Sequence, residues 1–485
     1  MKKVDILRKK YPRFVYENYY WRITNGNLNI SFNFLVESAE ALGEGGKIEP
    51  SISFNPKIVI QNVDRNQIKK VGDRVLNNLV FNLGLIELIS YWKATCSPII
   101  EIRAGFLNKE QVWWLKDLII NGMGQFFYEN KINWKTPYFL KIASKVVENS
   151  SLPTFSPSFR EEILVPIGGG KDSMVTLEIL KKAKKKIKCF SLNPTEVTKR
   201  IMKIGKCQNP ILINRKIDPK LLELNQSGFL NGHTPFTAYL SFLSVFLAVI
   251  FEQKYIAFSN ERSSNEGNVK YLGKIINHQY SKSFDFEQKF RKYSKKYLAK
   301  NIEYFSFLRP LYEIQIARLF SRYPKYFDAF LSCNEAFKTY SGTKLPIKKW
   351  CGNCPKCLFI FAILYPFIEE KKLVKIFGKN LFEKKELLNL MKELIGESKF
   401  KPFECVGTKR ESLVVFYLAL RSFRRRGVKL PSLLSYFEEK ILPKYPNLER
   451  EAKKILNSWL NQHHLTKELE KILLKSIYRF RKSIY

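Results

Sequence analysis

The chain has 485 residues, more than one hydrophobic core usually organises, so two or three domains are expected. An apolar fraction of 45% with 14% aromatics excludes a chain disordered throughout. A formal net charge of +39 favours polyanionic partners, such as nucleotide-sugar diphosphates, RNA or acidic lipid surfaces, without choosing among them. Basic residues run from Lys2 to Lys482, so the charge also reads as a lysine-rich composition. The one dense run, Lys181, Lys182, Lys184, Lys185, Lys186 and Lys188, reads as the solvated end of a helix. Lys2, Lys3, Arg8, Lys9 and Lys10 have no apolar segment behind them, so no secretory signal is expected and the location is read as cytoplasmic. The longest strongly apolar stretch, 240 to 251, is too short to cross a bilayer at about 1.5 Å per residue and reads as a buried helix. Eight cysteines in such a chain are expected to serve metal binding or catalysis where they cluster rather than a disulfide framework.

In chain order, Leu28, Ile30, Phe32 and Phe34 alternate with polar residues after Asn25-Gly26 and an earlier aromatic run, which predicts a hairpin. Apolar segments at 52 to 60 and 99 to 103, with helical patterns at 75 to 92 and 112 to 128, predict an α+β N-terminal domain over 1–152. A Ser-, Pro- and Thr-rich break at 150 to 158 marks its end. Next come a strand at 163 to 167, a glycine loop, a helix at 173 to 182, strands at 187 to 192 and 211 to 213, a helix at 235 to 251 and a strand at 255 to 259. That alternation predicts an α/β domain with a parallel doubly wound sheet over 153–330. A cysteine-rich segment follows over 331–367. A helical region over 368–485 has amphipathic runs at 381 to 394, 412 to 423 and 454 to 484.

The loop Val165-Pro166-Ile167-Gly168-Gly169-Gly170-Lys171-Asp172-Ser173 leaves a strand and opens a helix, the setting an anion site requires. Glycines let the backbone approach a phosphate, and the free amides at the helix start donate to it. Val165 and Asp172 exclude a Walker A loop, and Ser173 stands where a dinucleotide fingerprint needs its third glycine. The loop resembles the Ser-Gly-Gly-x-Asp-Ser motif of the PP-loop ATP-pyrophosphatases through Gly169, Gly170, Asp172 and Ser173, with Gly168 in place of the leading Ser. The resemblance implies an adenine nucleotide alpha hydrolase-like fold and ATP cleavage between its α and β phosphates. It places Gly168, Gly169, Gly170, Lys171, Asp172 and Ser173 on the pyrophosphate and Asp172 on Mg2+. By position after the second strand, Ser191 and Asn193 form the adenine and ribose edge.

Cys351, Cys354 and Cys357, preceded by Cys333, offer four thiolates at a knuckle spacing, enough for a closed structural Zn2+ site. Iron-sulfur or redox chemistry is the competing use. A PP-loop with one early cysteine and a later Cys-x-x-Cys-x-x-Cys is similar to 7-cyano-7-deazaguanine synthase, over the loop and knuckle only. Cys96, Cys189 and Cys207 read as buried inert thiols.

A wider resemblance joins the glycine loop to Ser259-Asn260-Glu261-Arg262-Ser263-Ser264-Asn265-Glu266-Gly267-Asn268, Asn277-His278-Gln279-Tyr280-Ser281-Lys282-Ser283, Trp350-Cys351-Gly352-Asn353-Cys354-Pro355-Lys356-Cys357 and Lys401-Pro402-Phe403-Glu404-Cys405-Val406-Gly407. Together they resemble the UDP-N-acetylmuramoyl-L-alanyl-L-glutamate epimerase (MurL) family. That resemblance implies inversion of a terminal glutamate at the cost of ATP, a nucleotide-sugar peptide as substrate, and a place in peptidoglycan precursor synthesis. The chemistry is coherent, because an α-proton beside a carboxylate is very weakly acidic and an acyl-adenylate makes it acidic. Candidates for proton transfer are His278, Glu261 and Cys405, with His233, Glu266 and Glu404 behind them, and Asp172 as a catalytic metal ligand. Arg262, Asn265, Glu266 and Lys282 are candidates for substrate binding. Two alternatives remain: a PP-loop enzyme adenylating a base in RNA, which the charge favours though no standard RNA-binding signature is found, and a nucleotide sensor with a degenerate loop.

Overall fold

The computed structural model describes residues 2–39, 50–144, 154–155, 159–337, 347–398 and 400–478. Its frame is one mixed sheet of eleven strands with a small separate hairpin. β1 (Arg13–Thr24) and β2 (Asn27–Glu37) form the expected hairpin, turned by Asn25 and Gly26, both at positive φ as the tight primed turn demands. β3 (Ile52–Phe54), β4 (Lys57–Gln61), β5 (Ile99–Ile102) and β6 (Lys141–Ser144) complete the N-terminal part. β7 (Arg160–Pro166), β8 (Ile187–Leu192), β9 (Ile211–Lys216), β10 (Gln253–Phe258), the hairpin β11 (Val269–Tyr271) and β12 (Lys274–Ile276), and β13 (Glu303–Ser306) follow.

The order across the sheet is β13-β10-β7-β8-β9-β4-β2-β1-β5-β6, with β3 beside β2. From β13 to β9 every pairing is parallel. The antiparallel pair β9/β4 then joins the two halves edge to edge, so hydrogen bonding runs unbroken past the 152/153 boundary. Most of the break expected at 150 to 158 lies outside the described residues; Thr154, Phe155 and Phe159 flank it, and Phe155 bridges Ala299.

Successive residues of the parallel strands feed opposite cores, as a period of two requires. Leu164, Phe190, Ile256 and Phe258 enter the core shared with the N-terminal part and with helices Phe236–Ile250 and Phe284–Tyr297. Ile163, Val165, Cys189 and Ala257 enter the core shared with helices Lys171–Lys182 and Glu313–Phe320 and the helical C-terminal region. The sheet is therefore covered on both faces, as buried parallel strands need. Helix Phe236–Ile250 is buried as expected. Among the described residues one helical run, Asp73–Trp92, is long and apolar enough to cross a bilayer; 83% of its apolar window is buried in the fold, and it packs as core.

Three sequence expectations need correction. Cys189 and Cys207 form a disulfide and are not free thiols: β8 and the turn after helix Glu196–Ile204 bring their Cα atoms to 6.0 Å, a contact that only the crossover creates. Cys96 is a free buried thiol, pushed up to about 12 by burial. The run 381 to 394 is two 3-10 turns followed by helix Leu388–Ile395, because the Asn380 side chain caps Phe382 N and the Lys384 ammonium turns back to Gly352 O (3.1 Å). The run 454 to 484 breaks between helices Leu448–Leu456 and Lys467–Tyr478, where Leu460 N donates to Pro310 O and Gln315 Nε2 to Leu456 O and Ser458 O; residues beyond 478 lie outside the described set.

The seam between the halves carries a buried ion pair: Arg215 on β9 meets the fully buried Glu87 through Nε and Nη2 at 2.8 to 3.0 Å, with Ser90 Oγ at 3.1 Å. Removing one partner strands the other charge in the core. Glu87→Ala is therefore expected to lower unfolding free energy by about 3–5 kcal/mol in urea titration, while Glu196→Ala, in an exposed helical pair with Lys199, stays within about 0.5 kcal/mol.

Candidate active site

β7 and β10 are neighbours whose outgoing connections run to opposite sides, which makes the crevice beyond their carboxyl ends a switch point. The glycine loop leaves β7 there, Ser259 to Glu266 leaves β10, and the segment after β13 leads into helix Glu313–Phe320. Each of these three adjacent strands delivers one carboxylate: Asp172, Glu261 and Glu313 lie with ligand oxygens within 4.8 Å of one another. Sequence reasoning missed Glu313, whose distance in the chain from the loop hides their contact.

Three ammonium groups balance the three acids. Lys171 Nζ, 1% exposed, is 2.5 Å from Asp172 Oδ1 and also bonds Glu313 Oε2. Burial opposes its charge, but Asp172 and Glu313 outweigh burial and hold the lysine protonated. Lys356 Nζ stands 3.9 Å from Glu313 Oε1. Lys282 lies near Glu261, and Lys282 Nζ donates to Cys405 Sγ at 3.1 Å. Burial pushes Asp172 up despite Lys171, and pushes Glu261 up to about 7 with help from Glu313. Glu313 goes down instead, because Lys171 and Lys356 outweigh its burial. Carboxyls held up in this way are those a divalent cation would ionise, and three oxygens from separate segments fit Mg2+, which keeps water at its other positions.

The glycine loop turns tightly into the start of helix Lys171–Lys182. Gly169 has φ +97°, and a side chain there would press on Phe337 and Leu331 O, which accepts no substitute for glycine without movement. Leu331 N donates to Gly169 O at 3.1 Å, so the segment leading to Cys333 covers the loop. Gly168 is exposed with open space at its Cβ position, and Gly170 caps helix Lys171–Lys182. Ser173 Oγ donates within the loop to Gly170 O. Ser191 is buried at the end of β8. Asn193 uses its side chain to tie β8 to Arg215 N and O on β9 (2.7 and 3.0 Å).

The remaining expected residues divide between the centre and its frame. His278 Nδ1 donates to Gln125 Oε1 at 2.5 Å, Gln125 being oriented by its Nε2 bond to Glu129, and its ring packs 4.4 Å from that of His233. Burial, then Lys282, Lys401 and Lys356, press His278 down to about 3, so the ring is neutral at physiological pH. Burial, then His278, also lower His233 well below the usual histidine range, and His233 does not cap the following helix. Glu404, half-buried beside Cys405, is raised to about 7 by burial. Arg262 stacks over Tyr312 at 4.4 Å, Asn265 Oδ1 caps Phe284 N, and Glu266 takes Lys409 N (3.0 Å) and Lys401 Nζ (3.3 Å). Those three side chains brace the loops.

Two buried residues hold this arrangement. Arg309, 0% exposed, donates to Glu261 O (2.9 Å), Ser264 Oγ (2.9 Å), Lys282 O (2.5 Å) and Glu287 Oε2 (3.0 Å), fixing the Glu261 and Lys282 turns to one guanidinium. A charged residue inside the apolar run Phe305 to Leu311 was the signal available for it. Glu411 joins the Thr408 capping box to Ser263 Oγ (2.7 Å) and Ile314 N (2.7 Å); Thr-x-x-Glu at 408 to 411 was its signal.

Beyond the loop, Cys333, Cys351, Cys354 and Cys357 place their sulfurs within 4.8 Å of one another. Backbone amides of Gly352, Asn353 and Cys357 each donate to a sulfur at 3.4 Å, the environment thiolates favour. Four soft donors with no open position fit one tetrahedral Zn2+.

Fold and site thus define a class: an α/β protein with a glycine loop and a carboxylate-lysine centre at the switch point of its sheet. The MurL N-terminal domain family matches residues 7–307, and the MurL C-terminal domain family matches residues 329–441. The chain is 36% identical over 331 residues, 68% of itself and 72% of the relative, to a UDP-N-acetyl-alpha-D-muramoyl-L-alanyl-L-glutamate epimerase of Xanthomonas oryzae pv. oryzae. It is 34% identical to proteins of the same name from a Micromonospora species and from Salinispora tropica, over 69% of this chain in each case and 73% and 72% of the relatives. The chain belongs to the MurL family.

Glu411 provides a pH test of the frame. Burial, then Glu313, raises it from an ordinary 4.5 to about 7 in the metal-free protein. Between those values the folded state holds the proton more tightly than the unfolded chain, so this group's contribution falls as pH rises from about 4.5 to about 7. In Glu411→Gln that loss, roughly 3 kcal/mol, should be absent from the pH profile of denaturant unfolding.

Proposed function

We propose that this chain inverts the terminal L-glutamate of UDP-N-acetylmuramoyl-L-alanyl-L-glutamate in an ATP-dependent reaction that releases AMP and diphosphate. The family membership supports the epimerase class and the nucleotide-sugar peptide substrate. The observation that carries the ATP chemistry is the convergence of Asp172, Glu261 and Glu313 beside a glycine loop at the start of a helix. The parallel order β13-β10-β7-β8-β9, reversing beside β7, supports the PP-loop reading of that loop.

In this reading the amides of Gly168 to Ser173 take the leaving diphosphate, with Lys171 kept cationic beneath them. Asp172, Glu261 and Glu313 would hold Mg2+, which supplies charge neutralisation to the phosphates. A carboxylate oxygen of the substrate displaces diphosphate from the α-phosphorus, and the resulting acyl-adenylate has an acidic α-proton. Cys405 exchanges that proton, with Lys282 Nζ bound to its sulfur to stabilise negative charge there. Delivery of a solvent proton to the other face of the α-carbon, followed by attack of water on the acyl carbon, releases the D-glutamyl product and AMP. His278, neutral and donating to Gln125, lines the site as a fixed hydrogen-bonding wall and not as an acid at neutral pH. The four cysteines would hold a structural Zn2+.

Two variants separate the half-reactions. Asp172→Ala is expected to lower diphosphate release by about 100-fold or more, because the transition-state charge loses its metal clamp. Cys405→Ala is expected to keep diphosphate release but lose solvent deuterium exchange at the glutamate α-carbon by about 100-fold or more. Diphosphate release by the wild type with no D-glutamate on chiral analysis would contradict the epimerase assignment. Metal analysis should find about one zinc per chain, lost in Cys354→Ser together with stability; iron with visible absorbance would refute zinc.

A further inference from the structure

The turn that carries the cysteines also carries a lysine that they do not use. Lys356 sits between Cys354 and Cys357 in the first turn of helix Pro355–Leu364 and is 6% exposed. Its Nζ bonds the carbonyl oxygen of Cys405 and stands 3.9 Å from Glu313 Oε1. Its backbone N–H donates to Glu404 Oε2 at 3.1 Å. One residue thus grips the Glu404-Cys405 loop twice, once at a side chain and once at a carbonyl. Cys405 in turn meets Lys282, whose own backbone is fixed by Arg309.

The knuckle is itself anchored at both ends. Lys384 Nζ donates to Gly352 O at 3.1 Å and also bonds Asn353 Oδ1. The segment bearing Cys333 begins at Leu331, which is bonded to the glycine loop. A tetrahedral ion would lock Cys354 and Cys357 to Cys333 and Cys351, and with them the direction in which Lys356 leaves the chain.

We infer that Lys356 is a positioning residue of the epimerisation: the four-cysteine knuckle delivers its ammonium and amide to the Glu404-Cys405 loop and thereby holds Cys405 against Lys282. This rests on the reading of Cys405 as a proton-transfer group. The knuckle is accordingly part of the reacting assembly, and occupancy of the metal site governs the geometry of proton transfer.

The test uses the full chain as wild type, Lys356→Met and Lys356→Arg. Two readouts are taken: steady-state turnover with ATP and UDP-N-acetylmuramoyl-L-alanyl-L-glutamate, and the rate at which iodoacetamide labels Cys405, followed by peptide mass spectrometry without nucleotide. Lys356→Met should keep its zinc and lose about 100-fold in kcat for α-deuterium exchange. Labelling of Cys405 should rise about fivefold or more as the loop is released, and Lys356→Arg should restore most of both properties. Stripping the metal from the wild type with a chelator should raise Cys405 labelling to the same degree; this arm decides the matter if Lys356→Met does not fold. Unchanged labelling in both Lys356→Met and the stripped protein, or exchange within about threefold of wild type, would overturn the inference. A wild type that turns over no substrate would sink the catalytic reading while labelling still decided the clamp.

Discussion

Three carboxylates whose oxygens lie within 4.8 Å of one another are the constraint on which this structure depends. Like charges about 4 Å apart repel by roughly 4 kcal/mol at the effective dielectric of a protein surface, so such a group persists only where cations are built in beside it. Lys171, Lys282 and Lys356 meet that need, and each comes from a different segment: the glycine loop, the turn before helix Phe284–Tyr297, and the cysteine knuckle. Adjacency of β13, β10 and β7 brings the acids together, while the cysteine knuckle brings one of the cations. The site therefore cannot be assembled from the parallel sheet alone.

That dependence explains the work of the outer parts of the chain. Glu411 ties the helical region to the loops after β10 and β13, and Lys401 pairs with Glu266 beneath them. The N-terminal part extends the sheet through β4 and β9 and supplies Gln125, which fixes the orientation of His278. The irregular segment between the last two helices returns to the centre: His464 Nδ1 is 2.9 Å from Glu287, the carboxylate that neutralises Arg309. Burial opposes the Glu287 charge, but Arg309 and the hydrogen bonds from His464, Ser306 and Arg309 outweigh it and hold the carboxyl down at about 2, so the guanidinium that aligns Glu261 and Lys282 stays paired.

The parts of the fold governed by local pattern were legible in the sequence. The Asn25-Gly26 hairpin, the strand-loop-helix at Gly168 to Lys182, and the buried helix ending near Ile250 all follow from periodicity and turn chemistry. The cysteine cluster was legible from spacing, and the Lys282–Cys405 contact joins two residues singled out separately. Glu313, Arg309 and Lys356 were not legible as site residues, because each acts on a group 22 or more positions away in the chain: Lys171 on the glycine loop, Glu287 on the preceding helix, Cys405 on the C-terminal loop. The Cys189–Cys207 disulfide escaped notice because only the β8-helix-β9 crossover brings the two cysteines together. Arg262, Asn265 and Glu266, read from the sequence as ligand contacts, also carry structural contacts that local pattern does not reveal, to Tyr312, Phe284 N and Lys409 N.

The central claim is that ATP activates the substrate's own carboxylate at the carboxylate-lysine centre. It is tested most directly by labelling the glutamate α-carboxylate of UDP-N-acetylmuramoyl-L-alanyl-L-glutamate with oxygen-18, running the reaction with ATP and Mg2+, and measuring the label in AMP by mass spectrometry. Transfer of the substrate's oxygen into AMP, in step with formation of the D-glutamyl product, is the predicted result. AMP free of the label while D-glutamate accumulates would mean that ATP is cleaved without joining the carboxylate, and would contradict the account.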